Sequence, residues 1–176
     1  RFGYGEEILG SRSPHITVGD ILLARNVECS QIDRYFNLTD EIICLNAINE
    51  NILQRLQGAD YDSDCIMITC NSTLIRCAKR NYDRFLVPTN MVSSVKSKRF
   101  YTNEQQADLD IKTSVNKIGE IVNLSQEIQS DMWNRMNTGA TFEEVKPLYY
   151  DACQLSVMSG IEICDYQVSA YGNVRT

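Results

Sequence analysis

Apolar residues change their rhythm along this chain. Up to about residue 70 they come in short alternating or continuous runs, and beyond residue 101 they recur every three or four positions. A period of two marks a half-buried strand, and a period of 3.6 marks a helix. The front half therefore predicts strands. Ile8 and Leu9 lie in one, and His15 to Arg25, with Ile16, Val18, Ile21, Leu22 and Leu23, predicts one or two more, which Gly19-Asp20 can break. Ser13 precedes Pro14 and is pushed out of helical space, so Arg12-Ser13-Pro14 reads as a turn-prone link. Gln31 to Leu38 predicts a short helix or turn, and the β-branched Glu41 to Leu45 a strand. Glu50 to Leu56 predicts a small amphipathic helix stopped at Gly58, and Cys65 to Thr69 a buried strand.

The back half predicts helices. A basic one covers 72–86 and stops at Val87-Pro88; 88–101 is a loop or hairpin without clear period. Thr102 is a fair N-cap with Gln105 three residues on, and Ile111, Val115, Ile118, Val122, Ile128 and Met132 then recur at helical spacing. This predicts a helix over 103–137, continuous or twice broken, closed by Asn137-Thr138-Gly139. Thr141 with Glu144 forms a second capping box, and Phe142, Val145, Tyr149, Ala152, Cys153 and Ser156 mark the inner face of a helix over 141–159. Trp133, Tyr149 and Tyr150 are expected to pack against helices rather than stack on bases. The class is α+β: a β-rich domain over 1–70, then a helical extension over 71–176. Four or five short strands with one small helix suit a small closed or nearly closed barrel.

Composition changes this picture little. A chain of 176 residues, 43% hydrophobic and 23% charged, is of ordinary globular type and long enough to bury a core. No apolar stretch approaches membrane-spanning length, so no membrane partner is expected. The opening Arg1-Phe2-Gly3-Tyr4 is neither a secretory signal nor an initiation site, and the chain is expected to be a piece of something larger or a processed product. Seven cysteines without a C-x-x-C pair, beside the single His15, give no zinc pattern; reduced, mostly buried thiols and a cytoplasmic location are expected. Against that expectation, the acceptor tripeptides at Asn37, Asn71 and Asn123 are read as chance matches.

Charge changes it more. The net charge of −6 argues against a general nucleic-acid coat, yet 76–99 holds seven cations against Asp83, a local +6 that leaves −12 elsewhere. Within it Lys79, Arg80 and Arg84 are candidate phosphate contacts; the plainer reading is a solvated helix face.

The most chemically distinctive stretch is Gly58-Ala59-Asp60-Tyr61-Asp62-Ser63-Asp64. Alternate residues share one face of a strand, and a tight loop can converge them too. Two unit charges about 4 Å apart repel by roughly 4 kcal/mol at an effective dielectric near 20. Such a cluster must be solvated, partly protonated or neutralised by a cation, and oxygen-only ligands select a hard ion. The plain reading is a solvated acidic turn. An EF-hand is excluded, because the positions that need Gly and Glu hold Cys65 and Asn71.

The stretch resembles the D-x-D-G-D signature of the two-barrel RNA polymerases, a group that includes the silencing RNA-dependent enzymes and single-chain phage relatives. Arg12-Ser13-Pro14 and Gly19-Asp20-Ile21 resemble the R-x-P…G-D-I element that precedes that signature in the silencing polymerases. The resemblance covers residues 11 to 69. It implies a double-psi β-barrel with Asp60, Asp62 and Asp64 on a loop between helix and strand. These acids would be catalytic and would chelate Mg2+ (Mn2+ as a substitute), with Arg12 near the incoming nucleotide. It also implies nucleoside triphosphates, an RNA product, a DNA or RNA template, and a preceding barrel domain without which the piece is inactive. Two positions depart from the pattern. Ser63 stands where the family has glycine, and Gly58 stands where bacterial members have asparagine, as it does in the silencing branch. The remaining alternatives are a non-catalytic metal- or nucleic-acid-binding module of the same descent, and an unrelated metal-dependent nuclease or phosphatase.

Overall fold

The fold is seen in a computed structural model that describes residues 2–59, 64–89, 100–114 and 117–171. The chain forms two compact units, Arg1–Val87 and Pro88–Thr176.

The first unit is built on a three-stranded antiparallel sheet in the order β2-β1-β3. Its strands are β1 (Glu7–Arg12), β2 (Leu22–Arg25) and β3 (Ile66–Thr69). Three short helices accompany them: α1 (Ser30–Tyr35), α2 (Ile52–Arg55) and α3 (Ser72–Asn81). β1 sets Gly10 opposite Leu22 on one side and opposite Ile68 on the other. Leu22, Ile52, Leu56 and Ala59 form the core, with Ala24, Leu45, Leu53 and Ile66 packed against it. The α+β class is as the sequence predicts, while these three strands do not show a barrel.

Several local expectations change. Glu41 to Leu45 is irregular rather than a strand: Ile42 and Ile43 are exposed, and among the described residues no strand pairs with this backbone. β3 is only partly covered, with Met67 63% exposed. The thiols are the clearest correction. Cys44, Cys65, Cys70 and Cys77 are exposed, Cys29 is half-buried, and Cys153 is the buried one among those described. Apolar neighbours misled here, because Cys65 and Cys70 flank β3 and Cys77 lies on the outer side of α3.

α3 ends five residues before the predicted stop, and the chain then turns through Asp83 at φ 59°. This segment lies in the first unit, which runs to Val87. Its anchor is Arg55, 8% exposed, which pairs with Glu50 and with Asp83 at 2.7 Å and lies 4.3 Å over the Tyr82 ring. A second anchor is steric: a Cβ on Gly19 would stand 2.2 Å from the Leu86 carbonyl oxygen, so only glycine permits that approach.

The second unit is helical: α4 (Asn103–Thr113), α5 (Ile118–Asn137) and α6 (Phe142–Tyr171). Thr102 Oγ1 caps α4 by accepting from the Gln105 amide at 3.3 Å, while the Gln105 side chain accepts from Phe100 N–H instead of closing the box. The box at α6 does close: Thr141 N–H donates to Glu144 Oε2 at 2.7 Å. α5 and α6 meet along Ile121, Ser125 and Met132 on one side and Val145, Tyr149, Ala152, Ser156 and Ser159 on the other, all buried. Ile111 on α4, one of the positions recurring at helical spacing, is 70% exposed. Tyr149 packs against Phe142, with ring centroids 5.6 Å apart, whereas Trp133 and Tyr150 are 39% and 45% exposed. α6 continues twelve residues past the predicted end, because Gly160 sits in a run of helix-compatible residues and no proline or polar cluster follows. Among the described residues no helix is long and apolar enough to cross a membrane.

Candidate functional site

The chain reaches the acidic stretch from α2. Asn51 caps that helix by accepting from the Gln54 amide, and Gln57 and Gly58 then take left-handed conformations at φ 59° and 66°. Two such residues in succession end the helix, and Ala59, buried in the core, donates its N–H to the Leu53 carbonyl at 2.9 Å. Asp60, Asp62 and the expected glycine position Ser63 lie outside the described residues; Asp64 lies within them, two residues before β3.

Arg12 ends β1, and the register places it opposite Ile66. Its Nη2 donates to Asp64 Oδ1 at 2.8 Å and its Nη1 to the Gln57 carbonyl at 3.2 Å. Their side chains are only 14% and 21% exposed, so this contact is far better shielded than a surface ion pair. One guanidinium thus ties the strand β1, the end of α2 and the last acid together. The two motif halves are 52 residues apart in sequence and meet through this pair. Sequence reasoning assigned Arg12 and Asp64 separate roles and missed their pairing. The signal was the antiparallel register, which a linear motif does not carry.

The G-D-I element forms a tight turn. Asp20 N–H donates to the Thr17 carbonyl at 3.1 Å, and Asp20 Oδ2 accepts from Thr17 N–H at 3.1 Å. Asp20 is 2% exposed, and among the described residues neither its Oδ1 nor Thr17 Oγ1 has a hydrogen-bond partner. Burial pushes the Asp20 carboxyl up to about 6, against the lowering effect of its Thr17 bonds. His15 meets Ser11, Oγ to Nδ1 at 2.8 Å.

The predicted phosphate contacts are placed elsewhere. Lys79 on α3 pairs with Glu7 at 2.5 Å, and Arg80 lies one residue on. Glu7 opens β1 and Arg12 closes it; at roughly 3.3 Å per residue those ends are about 17 Å apart. Lys79 and Arg80 therefore do not stand beside Asp64. Arg84 is exposed in the turn after α3, and Lys96, Lys98 and Arg99 lie outside the described residues. Among the described residues no three His, Cys, Asp or Glu side chains converge to hold a metal, a statement that leaves Asp60 and Asp62 aside. Compared with family models, curated proteins and solved structures, the chain matches none.

Proposed function

We propose that the first unit is the catalytic portion of a nucleotidyltransferase that polymerises RNA. In this reading the three strands are one wall of a double-psi barrel. The observation that carries the proposal is the Arg12–Asp64 pair: the two sequence elements that resemble the polymerase signature meet at 2.8 Å in a shielded position. A solvated acidic turn needs no such partner from a strand 52 residues away.

Asp60, Asp62 and Asp64 would hold Mg2+, with Mn2+ as a substitute; Asp64, an oxygen donor at the edge of the sheet, suits a hard ion. When bound, the ion activates the attacking 3′-hydroxyl and neutralises phosphate charge. The chain's own part is positioning. Arg12 fixes the last acid against the turn that leaves α2, and it adds a permanent positive charge where a nucleoside triphosphate would approach. A second barrel would supply the rest of the nucleotide and template contacts, so the isolated chain is expected to extend no primer on DNA or RNA.

Titration with Mn2+, followed by electron paramagnetic resonance, tests the reading. Weak binding is expected in the parent chain and none in Asp60→Asn or Asp62→Asn. Retention of parent binding by both variants overturns the proposal. The second reading, a non-catalytic nucleic-acid module with the same acids, is favoured by Lys79 and Arg80 on α3, which lie toward the Glu7 end of β1 rather than beside Asp64. An unrelated nuclease or phosphatase has less support, because His15 is the chain's single histidine and its Nδ1 meets Ser11 Oγ at 2.8 Å.

A further inference from the structure

At the Glu7 end of β1, α3 and the strand enclose a groove of about 550 Å³. That volume suits one or two nucleotide units rather than a duplex. Its wall on α3 carries Arg76, Lys79 and Arg80, and Glu6 and Glu7 face them. The two acids are already engaged. Glu6 Oε2 accepts from Gly3 N–H at 2.7 Å, and Glu7 takes Lys79 at 2.5 Å with Arg25 at 3.8 Å. The Lys79 hydrogen bond lowers the Glu7 carboxyl from its ordinary value.

Arg76 and Arg80 are left. Both are exposed, both line the groove, and neither has an ion pair among the described residues. Spaced i and i+4, they stand on one face of α3 as like charges, an arrangement that weakens a helix slightly. Two guanidiniums that repel each other over a concave surface are matched by a doubly accepting oxyanion. A phosphate offers that geometry, with planar forks on its oxygens. Ser72 adds a hydroxyl at the same wall.

We infer that this groove is a phosphate-backbone site for a single strand of nucleic acid, with Arg76 and Arg80 as its contacts and Lys79 held back by Glu7. The phosphate chemistry rests on the groove alone; its assignment to a nucleic-acid strand rests on the proposed polymerase reading. A strand that passed from the acidic end to this groove would run the length of β1, about 17 Å at roughly 3.3 Å per residue.

The test is fluorescence anisotropy with a labelled single-stranded oligonucleotide, repeated over a salt series with inorganic phosphate as competitor. Salt-sensitive binding is expected. In the Arg76→Gln/Arg80→Gln variant the slope of log affinity against log salt should fall by about 1.4, close to 0.7 for each phosphate no longer neutralised. Glu7→Gln, which frees Lys79, should bind a few-fold tighter. Bound oligonucleotide should protect the exposed Cys70 thiol at the groove from alkylation and leave Cys44 reactive. Unchanged affinity in the double variant, or no binding by the parent chain, overturns the inference. Displacement of the oligonucleotide by phosphate at equal concentration would show a free-anion site and overturn the nucleic-acid assignment. Repeating the anisotropy in excess EDTA separates the two proposals: groove affinity should not depend on a divalent cation, while Mn2+ binding by the parent chain bears only on the acidic site.

Discussion

The two units hold themselves together by different means. In the helical unit the buried positions are side chains at regular helical spacing, Ile121, Ser125 and Met132 against Val145, Tyr149 and Ser156. In the sheet unit the apolar core is small, and much of the rest hangs on single polar groups. Arg55 joins α2 to the turn after α3, Asp20 closes the loop before β2, and Arg12 ties β1 to the acidic stretch. The difference teaches where function can sit. A regular interface gains nothing from a buried charge, whereas a unit already organised by ion pairs can present carboxylates and guanidiniums in fixed positions.

The sharpest way to break this comparison is through the helical unit. Met132 is 2% exposed, and Met132→Ala should cost about 2–5 kcal/mol through lost transfer energy and a residual cavity. The chain's single tryptophan, Trp133, lies on the same helix and reports the transition by fluorescence. A loss below about 1 kcal/mol would mean that this seam is not close-packed.

A somewhat smaller effect is expected from Asp20, and its sign depends on pH. The folded state raises its carboxyl from 3.8 to about 6, so folding favours the protonated form. Its contribution to stability is complete below about pH 4 and is lost as pH rises through about 6. That shift corresponds to about 3 kcal/mol at 1.36 kcal/mol per pH unit. Asp20→Asn keeps an oxygen for the Thr17 amide and cannot ionise. The stability difference between variant and parent, measured by denaturant titration, should therefore move in the variant's favour between pH 4 and pH 7. A difference that stays flat with pH would show that the carboxyl ionises at no cost in its buried site.

The smallest of the three is the cap of α6. Glu144→Ala removes the acceptor of the Thr141 amide and hydroxyl, and should cost about 1 kcal/mol. The burial of Val145 one residue later should be untouched, so the variant should keep the parent's circular dichroism.

These effects follow what was legible in the sequence. The helical unit could be read because period and caps are local: Thr141 and Glu144 lie three residues apart and bond as their spacing predicts. The extra length of α6 was missed because Gly160 gives a weak stop signal when the following residues continue the helix. In the sheet unit β3 was legible from its apolar run, and β1 only in part, from Ile8 and Leu9. The irregular Glu41 to Leu45 was not, since β-branched residues make a strand only where a neighbour accepts its hydrogen bonds. The candidate site was legible as two motifs and illegible as a contact. That Arg12 reaches Asp64, while Lys79 turns to Glu7 at the other end of the strand, depends on β1–β3 register and on the path of α3.

The central claim is that Arg12 and the acidic stretch form one site for a divalent cation. Anomalous scattering from a crystal soaked in Mn2+ tests it most directly. The account predicts a single strong peak within about 2.5 Å of carboxylate oxygens from Asp60, Asp62 and Asp64, beside the Arg12 guanidinium. Carboxylates turned to separate surfaces, with no peak at the stretch in a soak that labels other acids, would contradict it.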